Sequence, residues 1–140
     1  RIIAENKDHE YPQNIFEIGH VFSKLHSSET GIKESIHLIT ASSPANFTQM
    51  KQILEYISKM LNISCEIKRG FKHGLIEGRT AFIIINGKES GYLGEVHPET
   101  LHSFNIKMPL AVLEISLEEI FNIFKDQKDD VPPRPKRRSL

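Results

Sequence analysis

The sequence predicts an α+β domain: a mostly antiparallel sheet flanked by helices. Three observations predict it. Several short runs rich in β-branched and aromatic residues read as strands. Two of these, Ala81-Phe82-Ile83-Ile84-Ile85 and Ser90 to Val96, are joined through Asn86-Gly87, whose tolerance of positive φ suits a two-residue type I′ turn. One long stretch places Met50, Ile53, Leu54, Ile57 and Leu61 at the 3, 4, 3, 4 spacing of one helical face. Hairpins combined with helices of modest length point to an antiparallel sheet rather than βαβ units.

Arg1 to Asn6 reads as the end of a helix, and Lys7 to Gln13, with Tyr11-Pro12, as a loop. Ile15 to Phe22 mixes alternation with aromatic and β-branched residues, so it is a strand. Ser23 to Glu34 is loop-like. Ser35 to Ala41 is a second strand, with Ile36, Leu38 and Thr40 on one face and His37 and Ile39 on the other. Asn46 and Gln49 form a capping-box pattern ahead of the amphipathic helix. Ile63 to Lys68 alternates as a third strand, and Arg69 to Glu77 is a loop. The apolar run 81–85 suits a strand covered on both faces. Gly91 and Gly94 in its partner suggest a bulge or a close backbone approach. Pro98 fits the first turn of a short helix to Phe104. Pro109 to Ile115 is the last strand. Ser116 and Glu119 then make a second capping-box pattern, with Leu117, Ile120, Phe121 and Phe124 as the apolar face of a closing helix. The expected order is β, β, α, β, β-turn-β, α, β, α in one domain over 1–124. Residues 125–140, charged and Pro-rich, are expected to be a disordered tail.

The chain has 140 residues, with 18 basic and 18 acidic, so its net charge is zero. That argues against a dedicated nucleic-acid-binding module. The basic cluster in PPRPKRRSL has no aromatic company and reads as a solvated tail. A single cysteine, Cys65, excludes an internal disulfide and fits a reducing, cytoplasmic setting. It lies in an alternating stretch and reads as a structural strand residue. No apolar run approaches the ~20 residues needed to span a bilayer, and no signal peptide is visible. The chain opens on Arg1 rather than Met, so it is expected to be a piece of a longer protein.

Seven histidines invite a metal reading, but no pair has the i, i+4 spacing with an intervening Glu, and Cys65 has no companion ligand. No metal site is expected. There is no phosphate-binding Gly-rich loop before a helix and no G-x-S-x-G elbow. Glu95 and His97, alternate residues near a strand end, are an acid/base candidate. A strand-end ion pair for Glu95 and a helix-capping role for His97 are the preferred alternative, because no nucleophile or oxyanion donor stands beside them. Arg79 has the rigid fork that suits a carboxylate, with Glu95 or Glu114 as partner. Arg79, Glu95, His97 and Glu114 are therefore candidate structural or interface residues, and no catalytic residue is assigned.

Taken together, YPQNIFEIGHVF (Tyr11 to Phe22), NFTQMKQILEYI (Asn46 to Ile57), EGRTAFIIINGKESGYLGEVHPETL (Glu77 to Leu101) and MPLAVLEISL (Met108 to Leu117) resemble the beta-subunit family of phenylalanyl-tRNA synthetases, of archaeal or eukaryotic type. The ordered set carries the resemblance. His73-Gly74-Leu75-Ile76 departs from the family's usual His-Pro-Ser lead-in to its G-R. The resemblance implies a class II synthetase-like fold that has lost its own activity, while an alpha subunit performs ATP-dependent charging of tRNA in a complex of two alpha and two beta subunits. It implies that ATP and Mg belong to the holoenzyme and that no cofactor binds this segment. A working class II site needs an arginine on its strand pair and a late arginine at a strand-to-helix junction, where cations offset phosphate charge. The matching strand here is IFEIGHVF, and the matching junction is GYLGEVHPETL, with Glu95 and His97 in place of a cation.

Three readings compete. The first is a non-catalytic assembly domain that binds the alpha subunit, with Arg1 to Asn6 and the 46–61 helix as its candidate surfaces. The second is a stand-alone enzyme using Glu95, His97 and Arg79. The third is a nucleic-acid-binding module using Lys68, Arg69, Lys72 and His73 with the tail. The first is preferred. A sheet lacking its first elements is also expected to leave an open edge that self-associates.

Overall fold

The computed structural model describes residues 1–24 and 31–129. Ten elements follow in order: α1 (Ile2–Glu5), β1 (Gln13–Lys24), β2 (Ile32–Ser43), α2 (Phe47–Leu61), β3 (Glu66–Arg69), β4 (Leu75–Ile85), β5 (Lys88–Val96), α3 (Pro98–Ser103), β6 (Ala111–Ser116) and α4 (Glu118–Asp129). All six strands join one sheet in the order β1-β2-β6-β5-β4-β3, and every neighbouring pair is antiparallel. The last strand in sequence thus sits at the centre. Most of the expected elements are present, and their departures have local causes.

The β1–β2 hairpin is longer than its apolar runs. Pairing continues through Ser23↔Lys33 and Lys24↔Ile32, so the hydrogen-bond ladder carries polar residues that propensity alone leaves in a loop. Ile63 does not enter a strand. Asn62 adopts a left-handed conformation (φ 51°) and the Ile63 N–H donates to the Ser58 carbonyl, so Ile63 closes the C-terminus of α2 and tucks into the core. Cys65 therefore precedes β3 and packs against the core while partly exposed. β4 begins at Leu75, inside the expected loop, because Leu75 pairs with Val96.

The Asn86-Gly87 turn has both residues at positive φ (51° and 74°), as a type I′ turn requires. The register slips by one residue between Ile83↔Gly91 and Ile84↔Glu89, which is the bulge the glycines suggest. A side chain at Gly91 would strike the Glu114 carbonyl and lie 2.8 Å from the Ile115 Cα, so β6 passes too close for any other residue.

One face of the sheet is dry. Ile83, Ile85, Leu93, Leu113 and Ile115 point from it against Met50 and Leu54 of α2 and Ile120 of α4, all buried. The 81–85 run is therefore fully covered on one face only: Phe82 and Ile84, on the other, are half-buried. In α2 the capping box forms as expected, Asn46 and Gln49 exchanging hydrogen bonds of 2.9 and 3.0 Å. The second one does not. The Ser116 hydroxyl accepts from the Glu118 N–H at 3.4 Å, while the Glu119 carboxylate turns to Lys88. In α4, Ile120, Ile123 and Phe124 face the core, while Phe121, expected on that face, is exposed. α4 also continues to Asp129, so Lys125 to Asp129 are helical rather than tail. The expectation for the remaining tail falls outside the described residues.

On the opposite face a smaller apolar cluster joins Ile3 of α1, Ala41, Ile106 and Val112, with Ile15 and Leu101. It covers one end of that face only. At the sheet margin, β1 leaves Phe16, Ile18 and Phe22 largely exposed. Among the described residues no helix is long and apolar enough to cross a membrane.

Candidate functional site

The part of the second face that no other described element covers holds a polar network built from three neighbouring strands. The register brings Ile39 and Tyr92 to either side of Glu114, and His37 opposite Ser116. Alternation then projects His37, Glu114 and Tyr92 to the same side. Tyr92 Oη donates to Glu114 Oε2 at 2.6 Å, and His37 Nδ1 stands 2.8 Å from Glu114 Oε1. His37 Nε2 is 3.0 Å from Ser35 Oγ. The Lys72 ammonium lies 4.2 Å from the centre of the Tyr92 ring, a cation–π contact.

This arrangement sets the charges. Burial pushes the Glu114 carboxyl upward, but the hydrogen bonds from Tyr92 and His37 and the charges of His37 and Lys72 outweigh it. Glu114 is held below its ordinary range and is ionised at neutral pH. Burial, the bond to Glu114 and the adjacent negative charge all push the Tyr92 phenol well above its ordinary value, so it remains a donor. These groups line a depression of about 420 Å³ together with Lys33, Lys88, Glu118 and Glu119. Lys33 pairs with Glu118 at 3.1 Å and Lys88 with Glu119 at 2.9 Å.

The four residues singled out from sequence divide between two places. Arg79 meets Glu95 at 3.0 Å; the guanidinium is 63% exposed and the carboxylate only 12%, so the arginine neutralises a buried acid at the strand end. His97 is the N-cap of α3, its Nδ1 accepting from the Glu99 N–H at 3.2 Å. It is engaged with backbone, not with Glu95 as an acid/base pair. Glu114 belongs to the network rather than to Arg79. Of the basic residues considered for nucleic acid, Lys72 folds onto Tyr92, and Lys68 and Arg69 are exposed on the edge strand β3. No cluster of metal-ligating side chains occurs among the described residues. Ser35, His37 and Tyr92 were not singled out by sequence. The available signal was a lone carboxylate, Glu114, inside the otherwise apolar strand PLAVLEI, which needs partners from across the sheet.

The model of the phenylalanyl-tRNA synthetase beta chain CLM domain matches residues 1–117. The chain belongs to that family. It is 33% identical over 123 residues to the phenylalanine–tRNA ligase beta subunit of Archaeoglobus fulgidus, covering 86% of this chain and 21% of the relative. It is 35% identical to that of Thermococcus onnurineus, covering 85% of this chain and 21% of the relative. The chain thus spans about a fifth of the length of these family members. Among solved structures, pyrrolysyl-tRNA synthetase from Desulfitobacterium hafniense superposes with a TM-score of 0.70 at 14% identity, over 89% of this chain and 46% of that one. The fold of the chain is therefore of the class II synthetase type expected from the sequence.

Proposed function

We propose that the domain is a non-catalytic structural part of a phenylalanine–tRNA ligase beta subunit. It supports assembly with the alpha subunit, which carries out ATP-dependent charging of tRNA with phenylalanine in the cytoplasm. The observation that carries this reading is the chemistry of the open face. A synthetase must offset the charge of the ATP phosphates and the metal-bound leaving group, and unpaired arginines suit that task. Here the depression is centred on an ionised carboxylate and lined, among the described residues, by no arginine, and its lysines face Glu118, Glu119 and the Tyr92 ring. Two of the three described strand-to-helix junctions carry acids instead: Glu95 before α3, and Glu118 and Glu119 at the start of α4. Such a face does not fit ATP and Mg, which belong to the alpha subunit's chemistry, and tRNA is engaged through the holoenzyme. The elements offered to the alpha subunit are α1 and α2, which leave Ile2, Tyr56 and Met60 uncovered.

The test is co-purification of the longer protein carrying this domain with its alpha subunit, followed by ATP–pyrophosphate exchange on each part. We expect association, with exchange only where alpha is present. Exchange by the beta subunit alone, or failure of alpha to bind it, overturns the reading.

A further inference from the structure

In the proposed function the domain takes no part in the aminoacylation chemistry, but its open face carries a second arrangement that assembly does not require. Ser35 and His37 are alternate residues of β2, so they project from one side of the sheet. The carboxylate fixes the direction of the two hydrogen bonds that reach it. An ionised carboxylate only accepts, so Tyr92 donates to Glu114 Oε2 and the His37 Nδ1 must carry hydrogen to reach Oε1. In the neutral form of that imidazole the lone pair lies on Nε2, and Ser35 Oγ, 3.0 Å away, is the donor that meets it. Hydroxyl, imidazole and carboxylate in this order, with these ring nitrogens, form the geometry of an activated serine nucleophile, which is recognised by roles and not by sequence position.

We infer that Ser35 accepts an acyl group from small activated carboxylic esters, with His37 as the base and Glu114 as its positioning residue. The depression of about 420 Å³ in front of Ser35 suits a substrate of that size. The Ser35 oxygen bonds to the ester carbonyl carbon while its proton passes to His37 Nε2. The carbon–oxygen bond to the leaving alcohol breaks, and that alcohol departs with the proton from His37. Water repeats the sequence on the acyl-serine, releasing the carboxylic acid and restoring Ser35.

The test treats the longer protein carrying this domain, in complex with its alpha subunit, with an alkyl fluorophosphonate and separately with p-nitrophenyl acetate. We expect one phosphonate adduct, located by mass spectrometry at Ser35, and none in Ser35→Ala. His37→Gln should slow labelling by about a hundredfold. Glu114→Gln should slow it as well and displace its pH profile, which a merely structural contact would not do. Should Ser35→Ala fail to fold, S35C answers the same question: iodoacetamide should alkylate that position faster with His37 present than with His37→Gln. No adduct at Ser35, or labelling there at equal rate in His37→Gln, overturns the inference.

Discussion

The two faces of the sheet are made by the same strands and obey different rules. Ile115 and Glu114 are adjacent in β6, yet one is fully buried among aliphatic side chains and the other is the hub of a hydrogen-bonded network. The dry face is held by area removed from water and is insensitive to protonation. The open face is held by directed bonds around one charge, so it depends on pH and on each partner being present. The lesson is that alternation along a strand separates two kinds of stability and not merely inside from outside.

The comparison breaks most severely in the centre of the dry face. Leu113→Ala leaves a cavity between α2 and the middle of the sheet, and we expect a loss of about 2–5 kcal/mol in urea unfolding, with no change in pH dependence. Glu114→Gln attacks the other face. It removes the charge that holds Tyr92 and His37, and should cost about 1–3 kcal/mol.

The pH dependence sharpens the contrast. Glu114 is depressed below its ordinary 4.5, so its contribution is complete above that value and is lost as pH falls through the lower, folded one. Tyr92 is raised above 10.0, so its contribution is complete below pH 10 and disappears as pH rises towards the folded value. The contributions of Glu114 and Tyr92 are therefore both complete near neutrality and are lost at opposite extremes of pH. In Glu114→Gln, the acid limb should flatten and one tyrosine should titrate closer to its ordinary range in ultraviolet absorbance.

A smaller effect is expected at the helix that covers the dry face. Asn46→Ala abolishes the capping box of α2 and should cost about 1 kcal/mol in the same unfolding experiment. The smallest change in stability, within about 0.5 kcal/mol, belongs to Phe16→Lys and Phe22→Lys on the edge strand. Their readout is sedimentation: the 1–140 chain should self-associate with rising concentration through β1, and these substitutions should suppress it. Concentration-independent monomers of the unaltered chain would show that the edge is already protected.

Much of the fold was legible in the sequence because its signals are local. The Asn86-Gly87 turn, the Asn46 capping box and the α2 stripe each lie within a few residues of one another. What was not legible turns on choices between competing partners. Glu119 meets Lys88, 31 residues away, instead of capping its own helix, and Ile63 closes the end of α2 by bonding Ser58 instead of entering a strand. The open-face network joins residues 77 apart in the chain, His37 and Glu114, and no spacing rule reaches across that interval. Arg79 and Glu95 were within reach as a pair because they sit on adjoining strands of one hairpin.

The central place of β6 has a consequence for how the domain comes into being. The β1–β2 hairpin and the β3–β4–β5 meander are each complete before Ala111 is synthesised, but neither pairs with the other without it. During translation the chain must therefore hold two unfinished half-sheets apart, each with an open inner edge. A strand of only six residues then enters between them and makes both ladders at once. Early release of the polypeptide short of that strand would leave two adhesive halves and no domain.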